Sequence, residues 1–140
     1  MMPRIWPIEM LPHEDVSRCP HVKVASMSNC LQNESRHMKQ GGSIVNCGSI
    51  LAHCSSARVS AYSAAKHPVV GLTKVAAYEG VAKGIRVKIM GPPLIMPNGD
   101  GWTVTEDDNL SAIIKRWAGP VEVEASIAFL LGDESKMASH

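Results

Sequence analysis

The sequence predicts an α/β fold whose centre is a strand–helix–strand unit with both strands parallel. Three observations carry that reading. "GGSIVNCGS" (41–49) sets a short apolar strand between glycine breaks. Over residues 60–83, Ala61, Ala65, Leu72, Val75 and Ala76 form an apolar helical face, and Gly84 stands where such a helix stops. "IRVKIM" (85–90) is a second strand, ended by "GPP". Two parallel strands joined by one long helix make a right-handed βαβ crossover.

The remaining elements follow from the same signals. Residues 1–20 carry four prolines and no periodicity, so they read as an irregular arm. From Val22 to Lys39 the stripe Val24, Met27, Leu31 and Met38 predicts a helix. The first strand covers 43–47, and 51–59 reads as a loop. Residues 91–105 hold three prolines and three glycines and must be irregular. Gly119-Pro120, followed by Glu122 and Glu124, starts a last helix, with proline at its first position and acids where the helix dipole is positive. That helix runs through "SIAFLL" to Gly132.

The totals bound the function. A chain of 140 residues makes one domain with a modest core. Aromatic residues are only 4%, so that core is built from Val, Ile, Leu, Ala and Met. A net charge of +1 gives no electrostatic pull toward nucleic acid or an anionic membrane. No apolar run approaches a membrane span, and "MMPRIWPIEMLP" is too broken for a signal peptide. Cys19, Cys30, Cys47 and Cys54 include no C-x-x-C, which favours free thiols in a reducing, cytoplasmic setting over a disulfide framework or zinc site. "NES" and "NLS" match the glycosylation pattern by chance in a chain without a secretory signal.

The chemistry gathers around "SAYSAAK" (60–66). Tyr62 and Lys66 are four apart on a helix, hence on one face. A cation beside a phenol favours the phenolate, which suits the pair to proton exchange. Ser49 follows the first strand, thirteen residues before Tyr62. A strand's carboxyl end and the next helix's first turns meet at one edge of an α/β sheet, where such folds bind ligands. Ser49 is thereby placed to hold a substrate oxygen that Tyr62 protonates or deprotonates.

With these residues in view, the chain resembles the short-chain dehydrogenase/reductase family. The match runs through "GGSIVNCGSI", "VSAYSAAKHPVVGLTK", "KGIRVKIMGPPLI" and "RWAGPVEVEASIAFLLGDES", four blocks in the family's order over residues 20–137. "SNCLQNESRHMKQGGSIVN" is most similar to fungal members, many of which act in secondary metabolism. The resemblance implies a partial Rossmann-like doubly wound parallel sheet: the βαβ core is retained, while the family's first strands and last strand are missing. It implies one truncated domain over 1–140, with an arm at 1–20 and a catalytic half at 21–137. The implied roles are Ser49 as carbonyl anchor, Tyr62 as general acid/base, and Lys66 as the cation that favours the phenolate and bonds the nicotinamide ribose. Tyr62 would contact the cofactor as well, and Ile95 would touch the carboxamide. The implied cofactor is NADP or NAD, and the substrate a small carbonyl compound or secondary alcohol. Homo- or hetero-oligomers with a related subunit are expected, without nucleic acid or membrane.

The family pattern is also broken in places. The glycine-rich turn that opens the family's nucleotide site is absent, so cofactor binding by this chain alone is not expected. The family's catalytic asparagine aligns with Lys23, which would crowd Lys66 with like charge. Pro68 lies inside the catalytic helix, where proline costs about 3 kcal/mol. Pro93 and Pro97 replace a glycine and a threonine of the nicotinamide loop. Lys88 replaces an asparagine, with little expected consequence. Three functions follow: an NAD(P)-dependent oxidoreductase by descent, a non-catalytic remnant that binds a full-length relative, or a cofactor-independent Tyr/Lys acid/base catalyst of isomerisation, dehydration or cyclisation.

Overall fold

The computed structural model describes residues 6–54, 56–92 and 118–138. In chain order the regular elements are α1 (His13–His37), β1 (Ser43–Cys47), α2 (Ser60–Gly80), β2 (Arg86–Met90) and α3 (Pro120–Leu131). The strands pair in parallel, from Ser43 opposite Arg86 to Cys47 opposite Met90. The predicted strand–helix–strand unit is therefore present, with the second strand starting one residue later.

Alternation along the strands sorts the layers. Ile44 and Val87 face one way and join Leu31 of α1, Ala76 of α2 and Ile85 in the core cluster, with Met27 and Leu72 packed against it. Val69 and Thr73 of α2 are also fully buried. Ser43, Arg86 and Lys88 face the other way and donate hydrogen bonds to backbone carbonyls at the end of α3. The sheet thus lies between α1 and α2 on one face and α3 on the other.

Two glycines shape the turn from α2 into β2. Past Gly80 a single 3-10 turn leads to Gly84, whose φ of 63° lies in the left-handed region that ends the helix, as the sequence predicts for that position. A Cβ on Gly80 would stand 2.8 Å from the carbonyl oxygen of Ile85, so the chain re-enters the sheet only with glycine there. At α3, Pro120 opens the helix and the Glu122 carboxylate accepts from the backbone N–H of Gly119 at 2.8 Å.

Three expectations are corrected. The arm at 1–20 is not irregular throughout, because α1 begins at His13, nine residues before the predicted start at Val22. Pro12 precedes it, Glu14 and Asp15 occupy its first turn, and Pro20 sits inside it. A proline removes the bond to the carbonyl four residues earlier; here that residue, Val16, is exposed to water, which softens the loss. The loop at 51–59 likewise opens with a 3-10 turn, Ile50–Ala52. Lys88, expected to matter little, is 2% exposed and tied to α3. Among the described residues, no helix is long and apolar enough to cross a membrane.

Candidate functional site

The site forms where the ends of β1 and β2 knit together. The backbone N–H of Gly48 donates to the carbonyl of Met90 at 2.7 Å, extending the ladder past the strands. The N–H of Ile50 donates to the carbonyl of Pro92 at 3.3 Å. A Cβ on Gly48 would lie 2.8 Å from the Ile89 side chain, and one on Gly91 3.3 Å from the Ser49 backbone. Glycines at 48 and 91 let the two strand ends approach this closely. Ser49 is thereby fixed at the carboxyl edge of the sheet, where the sequence places it.

Ser49 is buried, and its Oγ accepts a hydrogen bond from the N–H of Leu51 at 3.2 Å. That bond caps the following 3-10 turn and fixes the rotamer. The hydroxyl proton and a second lone pair remain for a ligand.

Tyr62 and Lys66 lie in the first two turns of α2, the ammonium 5.9 Å from the phenol ring centroid. Lys66 Nζ donates to the carbonyls of Cys47 and Gly48, each at 3.0 Å. An ammonium has three donors, so one N–H stays available on the side of the site. Burial holds the Lys66 pKa below the ordinary lysine value, the like charge of Lys23 lowers it further, and the Cys47 thiol opposes both. The crowding expected of Lys23 is therefore present in the electrostatics of the site.

The structure also shows partners that the sequence reading did not single out. Asn46 is buried on β1 and its Nδ2 donates to Thr73 Oγ1 at 2.9 Å, while Thr73 donates to the Val69 carbonyl at 2.7 Å. This chain of bonds sets β1 against α2. An asparagine inside an apolar strand was its only signal. The two carbonyls that hold Lys66 carry no side-chain signature at all. The arm reaches the site as well: the N–H of Trp6 donates to the carbonyl of Arg58 at 2.9 Å, and Trp6 bridges Val59, three residues before Tyr62. Arg58 takes a φ of 67°, strained for a residue with a side chain.

Ile95, Pro93 and Pro97 lie outside the described residues. The described residues offer donors for one end of a nicotinamide dinucleotide, while two of the three helix starts are unsuited to the other. The spare Lys66 N–H and the Tyr62 hydroxyl are donors of the kind a ribose diol and a carbonyl accept. A diphosphate needs free N–H groups at a helix N-terminus. The first turn of α1 carries Glu14 and Asp15, which repel phosphate, and the start of α3 is occupied by Glu122.

Comparison with known proteins places the chain among others of similar sequence and fold. Residues 3–139 match the family model described as enoyl-(acyl carrier protein) reductase. The short-chain dehydrogenase/reductase ABA4 of Pyricularia oryzae is 35% identical, over 95% of this chain and 52% of its own length. Carbonyl reductase family member 4 of Xenopus tropicalis is 35% identical over 77% of this chain and 46% of its own. The crystal structure of a short-chain dehydrogenase from Burkholderia cenocepacia, in complex with NADP, superposes with a TM-score of 0.84 at 26% identity, covering 99% of this chain and 58% of that one. The chain spans about half the length of the curated relatives it matches.

Proposed function

The chain belongs to the short-chain dehydrogenase/reductase family, and we propose that Ser49, Tyr62 and Lys66 are the acid/base apparatus of an NAD(P)-dependent interconversion of carbonyl and secondary alcohol. The observation that carries the reading is the pinning of Lys66 by the carbonyls of Cys47 and Gly48. It fixes a cation beside the phenol at the edge where Ser49 presents its hydroxyl. In reduction, Ser49 donates a hydrogen bond to the substrate carbonyl oxygen and Tyr62 gives that oxygen a proton; in oxidation Tyr62 takes it back. The nicotinamide, when bound, supplies or receives the hydride. We extend the reading to a small-molecule substrate, a role in secondary metabolism and the cytoplasm as compartment.

A hybrid tests this directly. Residues 20–137 are placed within a curated relative in exchange for its matching segment, and carbonyl reduction with NADPH is followed. The expected result is turnover that Tyr62→Phe abolishes. A hybrid that binds NADPH yet reduces nothing would assign the chain to the second reading, a non-catalytic subunit that pairs with a related full-length one. One observation favours that alternative: α2 presents Val75, Tyr78 and the following Val81 to solvent, 55%, 79% and 73% exposed, as an apolar surface fit for another subunit.

A further inference from the structure

Strand β2 sends two cations to one helix end. Arg86 and Lys88 are two residues apart, so both leave the sheet on the α3 face. Arg86 donates through Nη1 to the carbonyl of Gly132 at 3.0 Å and to Ser135 Oγ at 3.3 Å, and through Nη2 to the carbonyl of Leu131 at 3.2 Å. Lys88 Nζ donates to the carbonyl of Leu130, to Ser135 Oγ and, at 3.0 Å, to the carbonyl of Ser135. Ser43 adds a bond from β1 to the carbonyl of Leu130 at 3.4 Å. Lys88 and Ser135 are each 2% exposed.

The face of α3 tells the opposite story. No residue of α3 is fully buried: Val121, Phe129 and Leu131 are 74%, 52% and 43% exposed, and Val123, Ile127 and Leu130 form a stripe that is only half-buried. A helix usually docks through its apolar stripe. The stripe of this one is only half-buried, and its C-terminus docks as well, where unpaired carbonyls and the negative end of the helix dipole meet buried donors. The helix end in turn compensates two like charges on neighbouring strand positions. The Asp133 carboxylate, 3.8 Å from Arg86 and mostly in water, contributes little to that compensation.

We propose that Arg86, Lys88 and Ser135 form a conformational latch, whose engagement with the carbonyls of residues 130–132 decides whether α3 lies on the sheet. Apolar packing of α3 is secondary to it. The latch is independent of the acid/base reading of the site, since none of its members touches Ser49, Tyr62 or Lys66 through a hydrogen bond.

Hydrogen exchange read by mass spectrometry on the full chain tests the latch. Lys88→Met keeps the length of the buried side chain and removes its donors. Amides of residues 120–135 are expected to exchange about tenfold faster, the size of a lost charged hydrogen bond, with residues 60–80 unchanged. The paired variant Val123→Ala with Ile127→Ala, on the half-buried face of α3, should speed exchange in 120–135 by less than Lys88→Met does. Unchanged exchange in Lys88→Met, or equal release of α3 by the face variant, would overturn the proposal. Should Lys88→Met loosen every element together, Ser135→Ala decides: a rise confined to 120–135 supports the latch, and a uniform rise or none overturns it.

Discussion

Lys66 shows how much of this site is set by groups that surround a single side chain. Two strand carbonyls hold its ammonium, burial weakens its grip on the proton, and Lys23 weakens it further. Replacing Lys23 by Gln removes the like charge, so the Lys66 pKa should move up toward the ordinary lysine range, whereas Lys23→Arg should leave it in place. Reductive methylation with a carbon-13 label and NMR titration of the Lys66 resonance reads this without any turnover. Arg58 offers a second test. Its φ of 67° suits glycine, so Arg58→Gly should raise stability by about 1 kcal/mol, seen as a higher denaturation midpoint. Lys88 adds a pH dependence. Burial, then Arg86, lower its pKa, so the unfolded chain binds that proton more tightly than the native one. The proton-linked gain in stability is absent below the native value, grows as pH rises through it and is complete above 10.5, the ordinary lysine value, and it adds to the hydrogen bonds that the ammonium makes at lower pH. Between those limits, the Tm of wild type relative to Lys88→Met should rise with pH.

Prolines govern what is at stake in the helices. Pro68 stands inside α2 and costs the carbonyl of Ala64 its helical partner, yet the helix runs on through Gly80. Ala64 is exposed, so water meets part of that loss. Pro68→Ala should restore the bond and raise stability by about 1–3 kcal/mol, measured by chemical denaturation; an unchanged midpoint would mean that the native packing has offset the lost bond. The same residue type explains where the sequence was legible and where it was not. β1, α2, β2 and α3 could be read because glycines or a Gly-Pro pair stand at their ends, and each reading fell within a few residues. The start of α1 could not, because Pro20 looks like a boundary and the exposed carbonyl that lets the helix tolerate it is a tertiary fact. Ser49, Tyr62 and Lys66 were visible as letters at fixed spacings. The carbonyls that hold Lys66, and the helix end that accepts Lys88, belong to the backbone and are invisible until the chain is folded.

At the scale of the molecule, the described residues form a two-stranded sheet, and three helices leave several large apolar side chains in water. Sheets of two strands are marginal by themselves, and exposed apolar faces associate. The isolated 140-residue chain should therefore self-associate or melt below about 60 °C, checked by light scattering and calorimetry. It should also show no saturable binding in an NADPH fluorescence titration, because the sequence holds no glycine-rich turn of the kind that presents donors to a diphosphate, and the starts of α1 and α3 bring carboxylates. Saturable binding would show that the dinucleotide is held in another way. The parallel register carries a kinetic corollary. Every rung of the ladder, from Ser43–Arg86 to Cys47–Met90, joins positions 43 apart in the chain. Closing so long a loop is entropically costly before the first rung rewards it, whereas α2 can wind locally within about a microsecond. A newly made chain thus carries a nascent α2 while both strands are still unpaired. During that interval "SIVNC" and "RVKIM" are open to pairing with other chains, so the yield of folded protein should fall as concentration rises during refolding.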